Sequence, residues 1–544
     1  MEFNLADLFE AVARTVPDAE ATVCGGREGI GTRRTYAELD ARADRLALGL
    51  AAMGVGRDDF VGLHLYNGPE FIEAMLALYK LRAVPINVNY RYVADELRYL
   101  ADDADLRAIV TEPDLAPLID SIRPALPRLA PPIVTGLGYE QLLARQPDGP
   151  VDVGSRSADD RYVLYTGGTT GRPKGVVWRH GDIYFASLGG RGTPSRGVPM
   201  LTRPEQIVDR VQRGDPIMRR LPLCPLIHGG AMWVALQALL TGGTVVLDTD
   251  RHFDPVVALD LLAAERVELT MLIGDATARP LADALSAEPD RWDLSALQVI
   301  ASGGAVLSAG VKAQLAGALP AAKVVDTFGA SETGGQGRLS RTSGDGRVRL
   351  VTDEFTAVLD DELRPVGVGE VGRLARRGWI PVGYHGDPAK TAATFPVVDG
   401  VRWSVPGDLA QVEEDGTITL LGRGSTSINT GGEKVFPEEV ENVLKAHLAV
   451  FDALVVGVPD ARLGEQVSAV IVQRSDQRRP TDTELADHCR ESLSGYKVPR
   501  RWVWVEACER LPSGKPDYRW ARSAVLSSLD ELGASDGSRE QAPG

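Results

Sequence analysis

Arg161-Tyr-Val-Leu-Tyr-Thr166-Gly167-Gly168-Thr169-Thr170-Gly171-Arg-Pro-Lys174-Gly175 decides how this chain is read. Its first six residues form an apolar, aromatic-rich run, the pattern of a short buried strand. Small residues with free N–H groups follow at once, with two hydroxyls and a lysine. Such a loop at a strand end makes a cradle for phosphate. It is not a Walker A loop, because no Gly-Lys-Ser/Thr is present. The chain's GxGxxG, Gly367–Gly372, runs into strand patterns rather than a helix, so it reads as a turn.

On both sides of this loop, strand and helix patterns alternate. Upstream, Thr35 and Glu38 form a capping box before a helix over 36–54. The strand candidate FVGLHLY, the helix GPEFIEAMLALYKLRA and the strand AVPINVN come next. Downstream, AMWVALQALLTGG–TVVLDT and VVALDLLAAERV–ELTMLIG are two more helix–strand units. ALQVIASGG and KVVDTFG are buried-strand patterns ending in glycine turns. This alternation predicts parallel α/β sheets. Ligands of such sheets bind beyond the carboxyl ends of the strands, so three glycine turns at strand ends point to one shared site.

From about 345 to 421 the pattern becomes β-rich, with Asp-Gly and glycine turns, and suggests a smaller barrel-like subdomain. GRGSTSINTGGEK, 422–434, is a glycine- and serine-rich break before a compact α/β segment. The expected fold class is therefore α/β. A large N-terminal domain, 1–424, holds two doubly wound subdomains and the β-rich one; a small mobile α+β domain spans 425–526; a disordered polar tail spans 527–544. The Pro-, Gly- and Arg-rich segment 191–220 reads as a long loop with one helix at most, a lid or a disordered excursion.

Composition narrows the function classes. The 544 residues are 44% hydrophobic and 25% charged, enough for several cores. No apolar run reaches about 18 residues, so no transmembrane segment is expected. The start carries early acids and no basic region, unlike a secretory signal. A net charge of −16 argues against nucleic acid as a partner. Cys24, Cys224, Cys489 and Cys508 lie far apart with no CxxC, which fits a reducing compartment, and a cytoplasmic location is expected. Fifty of the 59 basic residues are arginine. The few lysines in glycine-bearing turns, Lys174, Lys434 and Lys515, therefore stand out as choices of a compact ammonium.

The loop 166–175 resembles the pyrophosphate-binding signature of adenylate-forming enzymes: acyl-CoA synthetases, adenylation domains and firefly-type luciferases. Gly167 stands where the family usually has serine. Further motifs agree in order. Ser302-Gly303-Gly304-Ala305 resembles the adenine-side strand end. Asp326-Thr-Phe328-Gly329-Ala330-Ser331-Glu332-Thr333 resembles the family's Tyr-Gly-x-Thr-Glu motif, with Phe328 for the tyrosine and Ser331 for the threonine. Pro406-Gly407-Asp408 matches the ribose-binding acid, and Gly422-Arg423 the arginine before the hinge. Ser425 falls at the hinge position, where the family has Asp or Lys. Gly431-Gly432-Glu433-Lys434 resembles the loop that lines the thiol tunnel. Pro512-Ser-Gly514-Lys515 resembles the catalytic lysine motif, although its continuation departs from the common run.

The resemblance covers about residues 5–525 and implies an enzyme that uses ATP, Mg²⁺ and coenzyme A on a small-molecule carboxylic acid. It implies that Glu332, with Thr170, holds Mg²⁺, that Lys515 bridges the carboxylate and ATP, and that Lys434 belongs to the nucleotide site. His228 is either the gate of the thiol tunnel or a structural histidine. No carrier domain follows residue 525, so free coenzyme A is the expected acceptor. Gly229, Trp233, Asp275 and Gly303 mark the acyl pocket, where small residues leave room for a bulky group; Asp275 and Arg279 could instead form a structural ion pair. Several stretches resemble actinobacterial ligases for steroid side-chain and long fatty acids, with an aryl or shorter acid as the alternative. From another class, a non-catalytic adenylate-binding protein is the rival. Tyr496–Arg501 reads as a coenzyme A phosphate site or as a solvated basic turn. A homodimer is the candidate assembly.

Overall fold

Thr35 and Glu38 close the capping box that their spacing implies. The Glu38 N–H donates to Thr35 Oγ1 at 3.2 Å, and the Thr35 N–H to Glu38 Oε2 at 2.9 Å, at the head of the helix Tyr36–Ala52. The computed structural model describes residues 1–167, 172–193, 197–214, 217–304, 307, 309–341, 348–351, 353–423, 428–435, 437–475, 477–509 and 517–537. The chain divides into two units. The first comprises Met1–Tyr90, Leu97–Thr166 and Lys174–Gly422; the second comprises Arg91–Glu96, Gly167–Pro173 and Arg423–Gly544.

In the first unit, six parallel strands lie side by side: Lys323–Ala330, Val299–Ser302, Leu269–Leu272, Arg219–Pro222, Thr244–Asp248 and Glu20–Gly26. Gly29–Thr35 closes one edge antiparallel. A second parallel sheet orders Val84–Asn87, Phe60–His64, Ala108–Thr111 and Ile133–Val134. These strands read as near-continuous apolar runs because both faces are covered. Val61, Leu63, Ile86, Ala108 and Val110 are fully buried.

The β-rich segment continues the first sheet. Gly334–Arg341 pairs antiparallel with Lys323–Ala330 and hands the ladder on to Val348–Val351, Ile418–Arg423, Asp408–Val412 and Val371–Arg377. Parallel and antiparallel halves thus form one hydrogen-bonded sheet.

The expected excursion at 191–220 is pinned rather than loose in its described part. Arg210, on the helix Gln206–Arg213, is 2% exposed and donates to the carbonyls of Gly189 at 2.8 Å and Pro199 at 2.6 Å. A guanidinium that satisfies carbonyls on both arms of a loop ties it down. In the same unit, Lys80 lies buried within 3.0 Å of Glu10, 2.8 Å of Asp40 and 2.6 Å of Asp44. Burial disfavours its charge, but these three acids hold its pKa above the usual lysine value.

In the second unit, Ile428–Thr430, Glu433–Val435, Val450–Asp460, Gly464–Gln473 and Arg501–Val505 form a five-stranded sheet. The helices Pro437–Ala446 and Asp482–Arg490 supply Val440, Leu444, Leu485 and Cys489 to one core. The tail departs from expectation. A helix spans Tyr518–Gly537, with Ala521 and Val525 buried on Leu454, Val456 and Val470. The apolar pair that seats this helix, Ala521 and Val525 at i, i+4, lies before 527, and the polar residues after it gave no sign that the helix runs on. Residues 538–544 and the expected boundary at 424/425 lie outside the described residues.

Candidate active site

Asn87 ends the strand Val84–Asn87 and fixes two of the loops on which the site depends. Its buried amide donates to the Tyr165 carbonyl at 2.9 Å and the Ile227 carbonyl at 2.7 Å, and its oxygen accepts from the Tyr165 N–H at 2.8 Å. The first loop leads to Thr166, the second to His228. Asn67 adds a second hold: its Oδ1 accepts from the Leu226 N–H at 2.8 Å. His228 is half-buried at the N-cap of the helix Gly229–Leu239, where its carbonyl accepts the Met232 N–H at 3.1 Å.

Of the phosphate-loop candidates, Thr166 and the Gly167 backbone end the strand Arg161–Gly167; Gly168, Thr169, Thr170 and Gly171 lie outside the described residues. Lys174 is described, on the strand Pro173–Arg179. Its ammonium meets Asp387 Oδ2 at 2.5 Å. Asp387 caps the helix Pro388–Thr394 through its other oxygen, which accepts the Lys390 N–H at 2.9 Å. The Lys174 hydrogen bond first, then that from Lys390, holds the Asp387 carboxyl below the usual range.

Ser302, which ends its strand, pairs in register with Asp326 inside the strand Lys323–Ala330. The Thr327 hydroxyl donates to the Ser302 carbonyl at 2.9 Å, and Ser302 Oγ accepts the Gly274 N–H at 3.1 Å. Gly304 takes a φ of 78°, a left-handed value suited to glycine. Asp326 is buried and paired with Lys312 at 2.9 Å, a partner absent from the sequence reading. Phe328, expected as an adenine platform, is half-buried and packs against the cluster of Leu350, Val358 and Leu374. Part of its surface is thus committed to core.

Gly329 and Ala330 end this strand, and Ser331, Glu332 and Thr333 make the turn after it. Three side chains fix that turn. Trp178 Nε1 donates to the Ser331 carbonyl at 3.0 Å, Ser404 Oγ to the Glu332 carbonyl at 2.6 Å, and the Tyr384 hydroxyl to Glu332 Oε1 at 2.9 Å. Glu332 Oε2 makes no hydrogen bond among the described residues. No group of three or more His, Cys, Asp or Glu among the described residues could hold a metal. Mg²⁺ is commonly held by one or two carboxylates plus substrate phosphates, and a single presented carboxylate oxygen fits that donor set.

Asp408 is buried at the head of the strand Asp408–Val412, following Gly407 with its φ of 102°. Arg423 ends the strand Ile418–Arg423, and its side chain lies outside the described residues, as do the Lys434 side chain and all of Ala305, Ser425 and Lys515. Gly431 and Gly432 join Ile428–Thr430 to Glu433–Val435 with φ of 58° and 84°. Two successive left-handed residues make the tight hairpin turn that favours glycine pairs. In the same unit Glu433 pairs with Arg91 at 2.7 Å, and Lys497 is buried with its ammonium 2.6 Å from Glu96. Lys497 is therefore not part of a solvated basic turn.

At three glycines near the expected acyl pocket a neighbour stands close, whereas a Cβ on Gly304 would meet nothing within 4 Å. A Cβ on Gly229 would stand 2.7 Å from Leu164 Cδ2; one on Gly303 would stand 2.7 Å from Thr327 Oγ1 and 3.0 Å from Met271 Cε; one on Gly230 would stand 3.3 Å from the same Met271 methyl. Trp233 Nε1 donates to the Tyr162 hydroxyl at 3.0 Å. Asp275 lies on the helix Gly274–Ala287, its side chain outside the described residues. Tyr384, Asp387, Ser404, Asn87 and Met271 escaped the sequence reading because no local spacing ties them to the glycine turns. An Asp-Pro helix start at 387–388 was the one visible signal.

Among known proteins, the profile described as AMP-binding enzyme matches residues 9–380, and that of the AMP-binding enzyme C-terminal domain matches 439–515. A 3-oxocholest-4-en-26-oate–CoA ligase of Rhodococcus rhodochrous is 43% identical, over 98% of this chain and 98% of its own. A medium/long-chain-fatty-acid–CoA/3-oxocholest-4-en-26-oate–CoA ligase of Mycobacterium tuberculosis is 44% identical, over 95% of each chain. The solved amide bond synthetase McbA from Marinactinospora thermotolerans is 26% identical with a TM-score of 0.76, covering 94% of this chain and 99% of its own.

Proposed function

The chain belongs to the AMP-binding enzyme family, and we propose that it is an ATP-dependent acyl-CoA synthetase. It joins a carboxylic acid to AMP with loss of pyrophosphate, then transfers the acyl group to coenzyme A and releases AMP. The observation that carries this reading is one cation, Lys174, and one presented carboxylate, Glu332, each anchored by the short segment 384–387.

In the first half-reaction the substrate carboxylate attacks the α-phosphorus of ATP, and the bond to pyrophosphate breaks. Lys174 and the N–H groups of loop 166–171 receive the charge that gathers on the leaving group. Glu332 and Thr170 would hold Mg²⁺, which would supply positive charge beside the phosphates. Asp408 and Arg423 hold the ribose, and Gly303, Gly304 and Phe328 border the adenine. Lys515 bridges carboxylate and nucleotide with its three donors. In the second half-reaction the thiolate attacks the adenylate carbonyl and AMP leaves. For this step Ser425 is the proposed hinge, and His228, Gly431 and Gly432 are the residues proposed to serve the thiol.

The acid we propose is a long-chain fatty acid or a steroid side-chain carboxylate, supported by the names of relatives that match nearly end to end. A slimmer medium-chain or aryl acid is the second reading, favoured by Met271 packed between Gly230 and Gly303. The four cysteines are free thiols, which supports a cytoplasmic setting. Acid-dependent exchange of labelled pyrophosphate into ATP tests the first half-reaction. Exchange with fatty or steroid acids is the expected result; none with any acid contradicts the reading and favours a non-catalytic adenylate-binding protein.

A further inference from the structure

Tyr384 lies in a stretch with no strong sequence signal, yet it is held from several sides. Its backbone pairs antiparallel with Val176, two residues beyond Lys174. Its N–H donates to Thr391 Oγ1 at 2.9 Å, and that hydroxyl donates to the Asp387 carbonyl at 2.7 Å. Its ring lies 5.6 Å from that of Phe395, with the Lys390 ammonium 5.3 Å from its centroid. The phenol is thereby aimed, and it donates to Glu332 Oε1 at 2.9 Å. Fully buried Ser404 holds the Glu332 carbonyl from another strand.

We infer that Tyr384 is a positioning residue for Glu332: it occupies one carboxylate oxygen so that the other faces the divalent cation that accompanies ATP. This rests on the reading of Glu332 as the metal-holding carboxylate. A free glutamate side chain rotates about its last bond and offers either oxygen. A phenol O–H on one oxygen removes that freedom. Mg²⁺ demands near-ideal geometry and gains most from a ligand fixed in advance. Partners that orient metal ligands typically contribute about 10–100-fold in metal affinity.

The test uses the full-length protein with α,β-methylene-ATP and Mn²⁺ as a paramagnetic probe, read by EPR. Tyr384→Phe should weaken Mn²⁺ binding about tenfold and raise the Mg²⁺ needed for half-maximal turnover alike. The turnover number at saturating Mg²⁺ and the melting temperature of the unliganded protein should stay near wild type. Glu332→Gln should also weaken Mn²⁺ binding, and Tyr384→Phe added to it should weaken it no further. Wild-type Mn²⁺ affinity in Tyr384→Phe, with Glu332→Gln impaired, overturns the inference and leaves the Glu332 reading standing. Wild-type affinity in Glu332→Gln overturns both. Should Tyr384→Phe fold poorly, Thr391→Val loosens the same residue; wild-type affinity in that folded variant also counts against the inference.

Discussion

Lys174 and Asp387, 213 residues apart in sequence, meet at 2.5 Å between Nζ and Oδ2. Asp387 is fixed independently by capping its helix, so the carboxylate waits where the ammonium arrives. A triphosphate entering the loop competes with Asp387 for that ammonium. Asp387→Asn should therefore lower the KM for ATP and the inhibition constant of pyrophosphate, each about three- to tenfold, the scale of a partly exposed charge pair. Steady-state kinetics with pyrophosphate as inhibitor reads this; a higher ATP KM would contradict it.

Asn87 makes three hydrogen bonds from a buried position to the two loops that carry Thr166 and His228. Asn87→Ala leaves two carbonyls and one N–H without this partner. At about 1 kcal/mol for each lost bond, the variant should lose about 2–3 kcal/mol in urea unfolding. Loss below about 0.5 kcal/mol would mean that the loops hold themselves.

Burial lowers the His180 pKa from 6.5 to about 4, and its Nδ1 accepts the Leu5 N–H at 3.2 Å. Its folded pKa lies below the unfolded one, so the unfolded state binds the proton first as pH falls. The stabilisation is full above 6.5 and is lost on descending towards 4. Buried His64, also lowered to about 4, acts in the same direction. His180→Asn keeps an acceptor without titrating. Its urea midpoint should fall less between pH 7 and pH 5 than that of wild type; equal slopes would refute this.

Met271 presents its methyl to both Gly230 and Gly303. A thioether is flexible, and its removal enlarges this side of the proposed acyl pocket. Met271→Ala should raise kcat/KM for bulky ring-bearing acids relative to medium-chain acids by at least about tenfold, the low end of what a single methylene is worth in an apolar pocket. Paired competition assays check the ratio. An unchanged ratio would place the acid elsewhere.

The strand ends, the capping box at Thr35 and the glycine turns were legible because each is a local pattern with a local cause. The apolar runs of the parallel strands and the left-handed Gly431-Gly432 turn belong to the same class. What stayed hidden depends on distant pairing. Tyr384 reaches Glu332 across 52 residues and Asn87 reaches Ile227 across 140. The continuity of 345–421 with the parallel sheet stayed hidden because antiparallel strands look alike whether they pair among themselves or extend a neighbouring sheet, as Gly334–Arg341 does. The small residues near the proposed pocket were legible only in part. Glycine marks a close approach, and only coordinates tell whether a ligand or a neighbour such as Leu164 makes it.

Mass-spectrometric detection of thioester tests the central claim most directly. Purified protein would be incubated with ATP, Mg²⁺, coenzyme A and a panel of short, medium and long fatty acids, benzoates and steroid side-chain acids, with Lys515→Ala as control. The account predicts acyl-CoA and AMP in equal amounts from fatty or steroid acids, and none from the control. AMP release without thioester from every acid would contradict it.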